Sequence, residues 1–193
     1  MRSLILLLTL GTTVGAMAQS VIYRSYGEYA ENMGEPVDGT IDVVPDMGRF
    51  VVKYVKDGRK KHIASRKVWG FRNNGFLYRI EPEAHLPVRL MAQGAVYYWE
   101  NGIAHLRIQR DSTEAASFEY GHASYLSREV QSTIVPAIFT ADDTKSSSAK
   151  FREAWPAYAD LLKCIGEGAD MDSVRQCVVN YAVAVEEGKV AGP

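Results

Sequence analysis

Local catalytic signatures are missing from this sequence. It contains no P-loop, Rossmann glycine fingerprint, H-E-x-x-H pair, EF-hand loop or G-x-S-x-G elbow. The motifs that cradle phosphate, hold zinc or calcium, or expose an activated serine are therefore lacking. Cysteine is scarce, two in 193 residues, and the pair is not spaced as C-x-x-C, which leaves no redox motif. Four histidines, His62, His85, His105 and His122, show neither i, i+4 nor clustered spacing, so surface or locally satisfied rings are expected rather than metal ligands. The net charge of −1 argues against a dedicated nucleic-acid binder. No cofactor and no metal are expected.

A second long apolar run is also lacking. The first one, Leu4 to Leu10, follows a short basic start at Arg2 and precedes Ala16-Met17-Ala18. That is the pattern of a secretory signal peptide, residues 1–18, cleaved before Gln19. The run is too short to cross a hydrocarbon core of about 30 Å comfortably, so no membrane span is expected after cleavage. No cysteine stands at the cleavage site, which argues against a lipoprotein. The expected location is the periplasm or the exterior.

What the chain does have is alternation. Ser25-Tyr-Gly-Glu28 fits a capping box and predicts a short helix from Tyr26 to Asn32. From Asp38-Gly39 to about Arg110 the hydrophobic period is two. Ile41 to Val44 and Arg49 to Val55 read as strands. Lys61 to Ser65 and Val68 to Arg72 form a return bent near Arg66-Lys67. Phe76 to Ile80, Val88 to Met91, Ala95 to Trp99 and Ile103 to Arg110 follow. Asp57-Gly58, Asn74-Gly75 and Asn101-Gly102 supply residues that tolerate positive φ, as two-residue hairpin turns require. Three such turns predict a β-meander of roughly six to nine short strands in one strongly twisted or barrel-like sheet.

Residues 140–148, Thr-Ala-Asp-Asp-Thr-Lys-Ser-Ser-Ser, read as a polar linker closing the β region of residues 19–139. Residues 149–193 read as a helical hairpin packed into the same domain. Phe151, Trp155, Tyr158, Leu161, Leu162 and Ile165 make one apolar face, and Pro156 suits a first helical position. Gly166 and Gly168 end that helix. Asp172 or Ser173 caps the next, whose stripe is Val174, Cys177, Val178, Tyr181 and Val185, with Gly188 as its stop. Cys164 and Cys177 face each other in an antiparallel hairpin, and export makes a disulfide the expected outcome. The fold class is α+β, mainly β.

The unusual feature is local charge. Between Arg49 and Arg79 stand ten basic residues and a single acid, Asp57. Lys53, Arg59, Lys60, Lys61, Arg66, Lys67 and Arg72 are candidates for an anion-binding surface, with Trp69, Phe71, Tyr78 and Trp99 as aromatic contacts. Solvated charges that keep a sheet edge from pairing explain the same pattern. Two functions follow. One is a non-enzymatic exported protein binding a protein partner or an anionic glycan or lipid component of the envelope. The alternative is a hydrolase-like enzyme using His105 or His122 with Asp111 and Ser112 in a sheet cleft, a triad recognisable only by geometry.

The leader ending in Ala-Gln, Tyr26 to Asn32, Val68-Trp-Gly-Phe71, Tyr97-Tyr-Trp-Glu-Asn-Gly102, Tyr125-Leu-Ser127 and the Cys164/Cys177 helices together resemble small uncharacterised exported proteins of Bacteroidota-type bacteria. The resemblance implies a compartment and an architecture, and no functional residues.

Overall fold

The computed structural model describes residues 19–101, 124–137, 151–167 and 171–193. Its strands are β1 (Ser20–Tyr23), β2 (Glu35–Asp46), β3 (Arg49–Lys56), β4 (Arg59–Ala64), β5 (Gly70–Asn73), β6 (Phe76–Ile80), β7 (Pro87–Ala92), β8 (Tyr97–Asn101), β9 (Ser124–Ser127) and β10 (Val135–Pro136). Three α-helices are described: α1 (Tyr26–Ala30), α2 (Trp155–Glu167) and α3 (Met171–Glu186). The strands form one antiparallel sheet in the order β10-β9-β8-β7-β6-β5-β1-β2-β3-β4. Its end strands, β4 and β10, do not pair with each other, so the sheet is not closed. The α+β, mainly β class with a meander and a terminal helical hairpin is thus the observed one.

The meander is interrupted once. β1 pairs with β2 on one side and β5 on the other, dividing the sheet into a β2–β3–β4 wing and a β5-to-β10 body. Three hairpin turns carry paired positive φ values: Met47-Gly48 (45° and 76°), Asp57-Gly58 (53° and 69°) and Asn74-Gly75 (51° and 83°). Two were expected. The third, Met47-Gly48, carries no Asx signal, and Met47 accepts the left-handed region in place of Asn or Asp. The expected Asn101-Gly102 turn, the strand after it, the linker and the leader fall wholly or partly outside the described residues.

The capping box forms with one difference. The Glu28 amide donates to Ser25 Oγ at 3.2 Å, while the Glu28 carboxylate accepts from the amide of Arg24, one residue before the cap. The helix runs only from Tyr26 to Ala30.

Three apolar clusters hold the layers together. The first lies where the wing packs against the body: Ile22, Val43, Val52, Tyr54, Val68, Phe71 and Ile80. The second joins the helical hairpin to the far end of the sheet, with Tyr98, Leu126 and Val135 against Phe151, Tyr158, Leu161, Val174 and Tyr181. The third gathers Leu77, Val88, Trp99 and Ile134 on another face, with Tyr29, Trp69 and Val130 packed on it. Fully burying a side chain such as Val88 stabilises by about 2 kcal/mol. The predicted helix faces are observed, except that Trp155 is 46% exposed and α2 passes through Gly166 before ending at Glu167.

Two of these clusters meet at the start of β5. Val68 and Phe71 belong to the first and Trp69 to the third, which strict alternation from residue 68 to 71 does not allow. β5 begins at Gly70, and Val68 and Trp69 precede it, so the alternation of the strand does not extend to them. A Cβ at Gly70 would meet the Tyr78 carbonyl oxygen at 2.4 Å.

Candidate functional site

The wing contains a groove. In β2 the register with β3 jumps from Asp38↔Val55 to Asp42↔Lys53, so Gly39, Thr40 and Ile41 stand opposite Tyr54 alone. Extra residues on one strand bend it, and Gly39, with φ 72°, takes the turn without a Cβ penalty. Asn73 holds this bulge in place: its side-chain amide donates to the Ile41 carbonyl at 3.0 Å, and its Oδ1 accepts from the Ile41 amide at 3.3 Å. The hairpin centred on Asn74-Gly75 is therefore tied to the bulge of β2.

The concavity, about 550 Å³, is lined by Asp38, Gly39, Thr40, Asp42, Lys53, Tyr54, Val55, Lys60, Lys61 and His62. Cross-strand pairing explains why these residues meet. Asp42, Lys53 and His62 form one row across the three strands, and Asp38, Val55 and Lys60 form another. Lys53, Lys60, Lys61 and His62 are exposed. Asp38 is partly engaged, accepting from the Gly58 amide at 3.3 Å. Lys53, Lys60 and His62 thus share one face of the wing with Asp38 and Asp42, while Lys61 pairs with Tyr54 on the alternate face and also lines the groove.

The ten basic residues between Arg49 and Arg79 do not make one surface. Lys53, Arg59, Lys60 and Lys61 lie on the wing, and Arg66 and Lys67 lie exposed on the short 3₁₀ turn Ser65–Lys67. Arg72 stands on β5 with its guanidinium 5.7 Å from the Tyr29 ring centroid. Lys56 is tied to Glu35 at 2.9 Å, and Arg24 reaches the same carboxylate at 3.0 Å. The hydrogen bond from Lys56 is the main reason the Glu35 carboxyl sits below its ordinary value. Arg79 is buried, donating to the Val130 and Ser132 carbonyls at 2.7 Å between the rings of Trp69 and Trp99. Burial brings its pKa down to about 10.

The candidate aromatic contacts also separate. Trp99 is fully buried and donates to Ser127 Oγ at 2.8 Å, and Phe71 is buried against Tyr78 in a stacked pair 5.0 Å apart. Burial removes both rings from any surface contact. Trp69 is half-buried between Tyr29 and Arg79, with Tyr26 5.7 Å away. None of the four lines the groove; its aromatic member is Tyr54.

The sequence reading missed Asp38, Thr40, Asp42 and His62 as groove residues. The Asp38-Gly39 pair was their one local signal. Of the histidines, His62 lies in the groove and His85 in the turn after β6; His105, His122, Asp111 and Ser112 lie outside the described residues. Among the described residues no group of three His, Cys, Asp or Glu side chains could hold a metal ion, and no helix is long and apolar enough to cross a membrane.

Cys164 and Cys177 are bonded, with Cα atoms 5.7 Å apart.

No family model, no curated protein and no solved structure matches the chain. What the groove binds has to be read from its own side chains.

Proposed function

We propose that this is an exported, non-enzymatic binding protein that takes an anionic envelope component on its β2–β3–β4 wing. The observation that carries the reading is that Lys53, Lys60 and Lys61 all line one groove. Lysines on a concave surface attract phosphate, sulfate or carboxylate where they outnumber the acids beside them, here three against Asp38 and Asp42. The leader pattern, the disulfide and the resemblance to small exported proteins of Bacteroidota-type bacteria support the compartment. The residues named for the hydrolase alternative, His105, His122, Asp111 and Ser112, lie outside the described residues.

The test is retention of the purified protein on immobilised dextran sulfate at low ionic strength. Three exposed ion pairs at about 0.5 kcal/mol each correspond to about a tenfold loss of affinity in a Lys53→Gln, Lys60→Gln, Lys61→Gln variant. Retention unchanged by the triple substitution would remove the reading.

A further inference from the structure

We infer that the ligand of the wing is an acidic extended polypeptide, which adds to the sheet as a strand beside β4. The inference rests on the binding reading above and names the partner's chemistry.

Among the described residues β4 ends the sheet and is paired on one side only, with β3. The two are joined by the two-residue turn Asp57-Gly58, so the flanking Lys56↔Arg59 pair is the hydrogen-bonded kind, as are Tyr54↔Lys61 and Val52↔Ile63 at the same period. The intervening residues, Lys60 and His62, direct their amides and carbonyls away from β3. No described strand lies there to take them. Such a row of unpaired backbone groups is a template for another strand.

Charge selects which strand. Arg59, Lys60, Lys61 and His62 are all exposed, while Ile63 and Ala64 are half-buried. A second copy of β4 would bring Arg59, Lys60 and Lys61 against the same three cations, so the edge repels its own kind, as lysines on natural edges do. An acidic strand meets the opposite situation. Its backbone takes the free groups of Lys60 and His62, its carboxylates lie opposite Arg59 and Lys61 on one face and Lys60 on the other, and an apolar side chain fits beside Ile63. Lys53 and the groove floor lie one strand inward, within reach of a longer acidic side chain. A polysulfated glycan can use the cations but has no amide ladder to offer.

The test uses the full chain and a fluorescent ten-residue peptide alternating Glu and Thr with a terminal Val. Two further probes are the same peptide N-methylated at alternate amides, in both registers, and dextran sulfate. The expected result is binding read by anisotropy, a loss of about tenfold or more on methylation in one register only, and a comparable loss with Lys60→Glu, Lys61→Glu. If both methylated peptides bind as the parent does, strand addition is overturned. It is likewise overturned if dextran sulfate binds through the same lysines and the peptide does not, although the anion-binding function then stands. If neither probe binds, both readings fall. Because methylation alters the ligand alone, misfolding of a variant cannot imitate the expected result.

Discussion

At the scale of single residues, the most consequential contact joins positions 75 apart in sequence. Arg175 on α3 grips Glu100 on β8 through Nε at 2.5 Å and Nη2 at 2.8 Å, and the Glu100 side chain is 8% exposed. Burial raises the Glu100 carboxyl, but the bonds from Arg175 and Tyr98 outweigh it and leave the group below its ordinary value of 4.5. A carboxyl so depressed contributes stability that is complete above that ordinary value and lost as pH falls through the folded one. Arg175→Ala, which leaves a nearly buried carboxylate without its partner, should cost about 2 kcal/mol at pH 7. That is less than for a fully buried pair, because the guanidinium keeps contact with water. In urea unfolding the gap between the variant and the parent should narrow at pH 3. A pH-independent gap would show that the pair is not what stabilises this junction. Gly70→Ala tests a different kind of contact. The added methyl meets backbone, the Tyr78 carbonyl, which has no rotamer to yield, so a loss of about 2 kcal/mol is expected, read as a lower denaturation midpoint with an unchanged slope. Neither feature was legible in sequence: one joins distant positions, and the other depends on a neighbouring strand's carbonyl.

At the scale of elements, much more was legible, because the signals are local. Ser25 caps α1, Asp57-Gly58 and Asn74-Gly75 turn the chain, and the three-and-four spacing of Tyr158, Leu161, Leu162 and Ile165 buries one helix face. The cysteine pairing followed from helix geometry and is observed. Replacing both cysteines by serine should cost about 3 kcal/mol in the chain-entropy account of a closed loop of this length, measured by urea unfolding of the double variant. Equal stability of variant and parent would mean that the contacts of α2 and α3 already fix the hairpin. Two local features carry little or no propensity signal. Met47 adopts a positive φ in an exposed turn, and the β2 bulge was marked only by Asp38-Gly39, although Asn73 is what holds it.

At the scale of the whole molecule, the sequence by itself determined the alternating strands, two of the hairpin turns, the apolar helix faces and the cysteine pair, because each depends on residues close in the chain or on a fixed period. It also determined that positive charge concentrates between Arg49 and Arg79. Only the tertiary structure decided how that charge is divided. β1 enters between β2 and β5, parting the wing from the body, so Lys53, Lys60 and Lys61 share a groove while Arg72 lies beside Tyr29 and Arg79 is enclosed between two tryptophans. The physical reason is strand order. A period of two says which side chains share a face of one strand, but which strands lie side by side is set by pairings between distant segments, and those place charges together or apart.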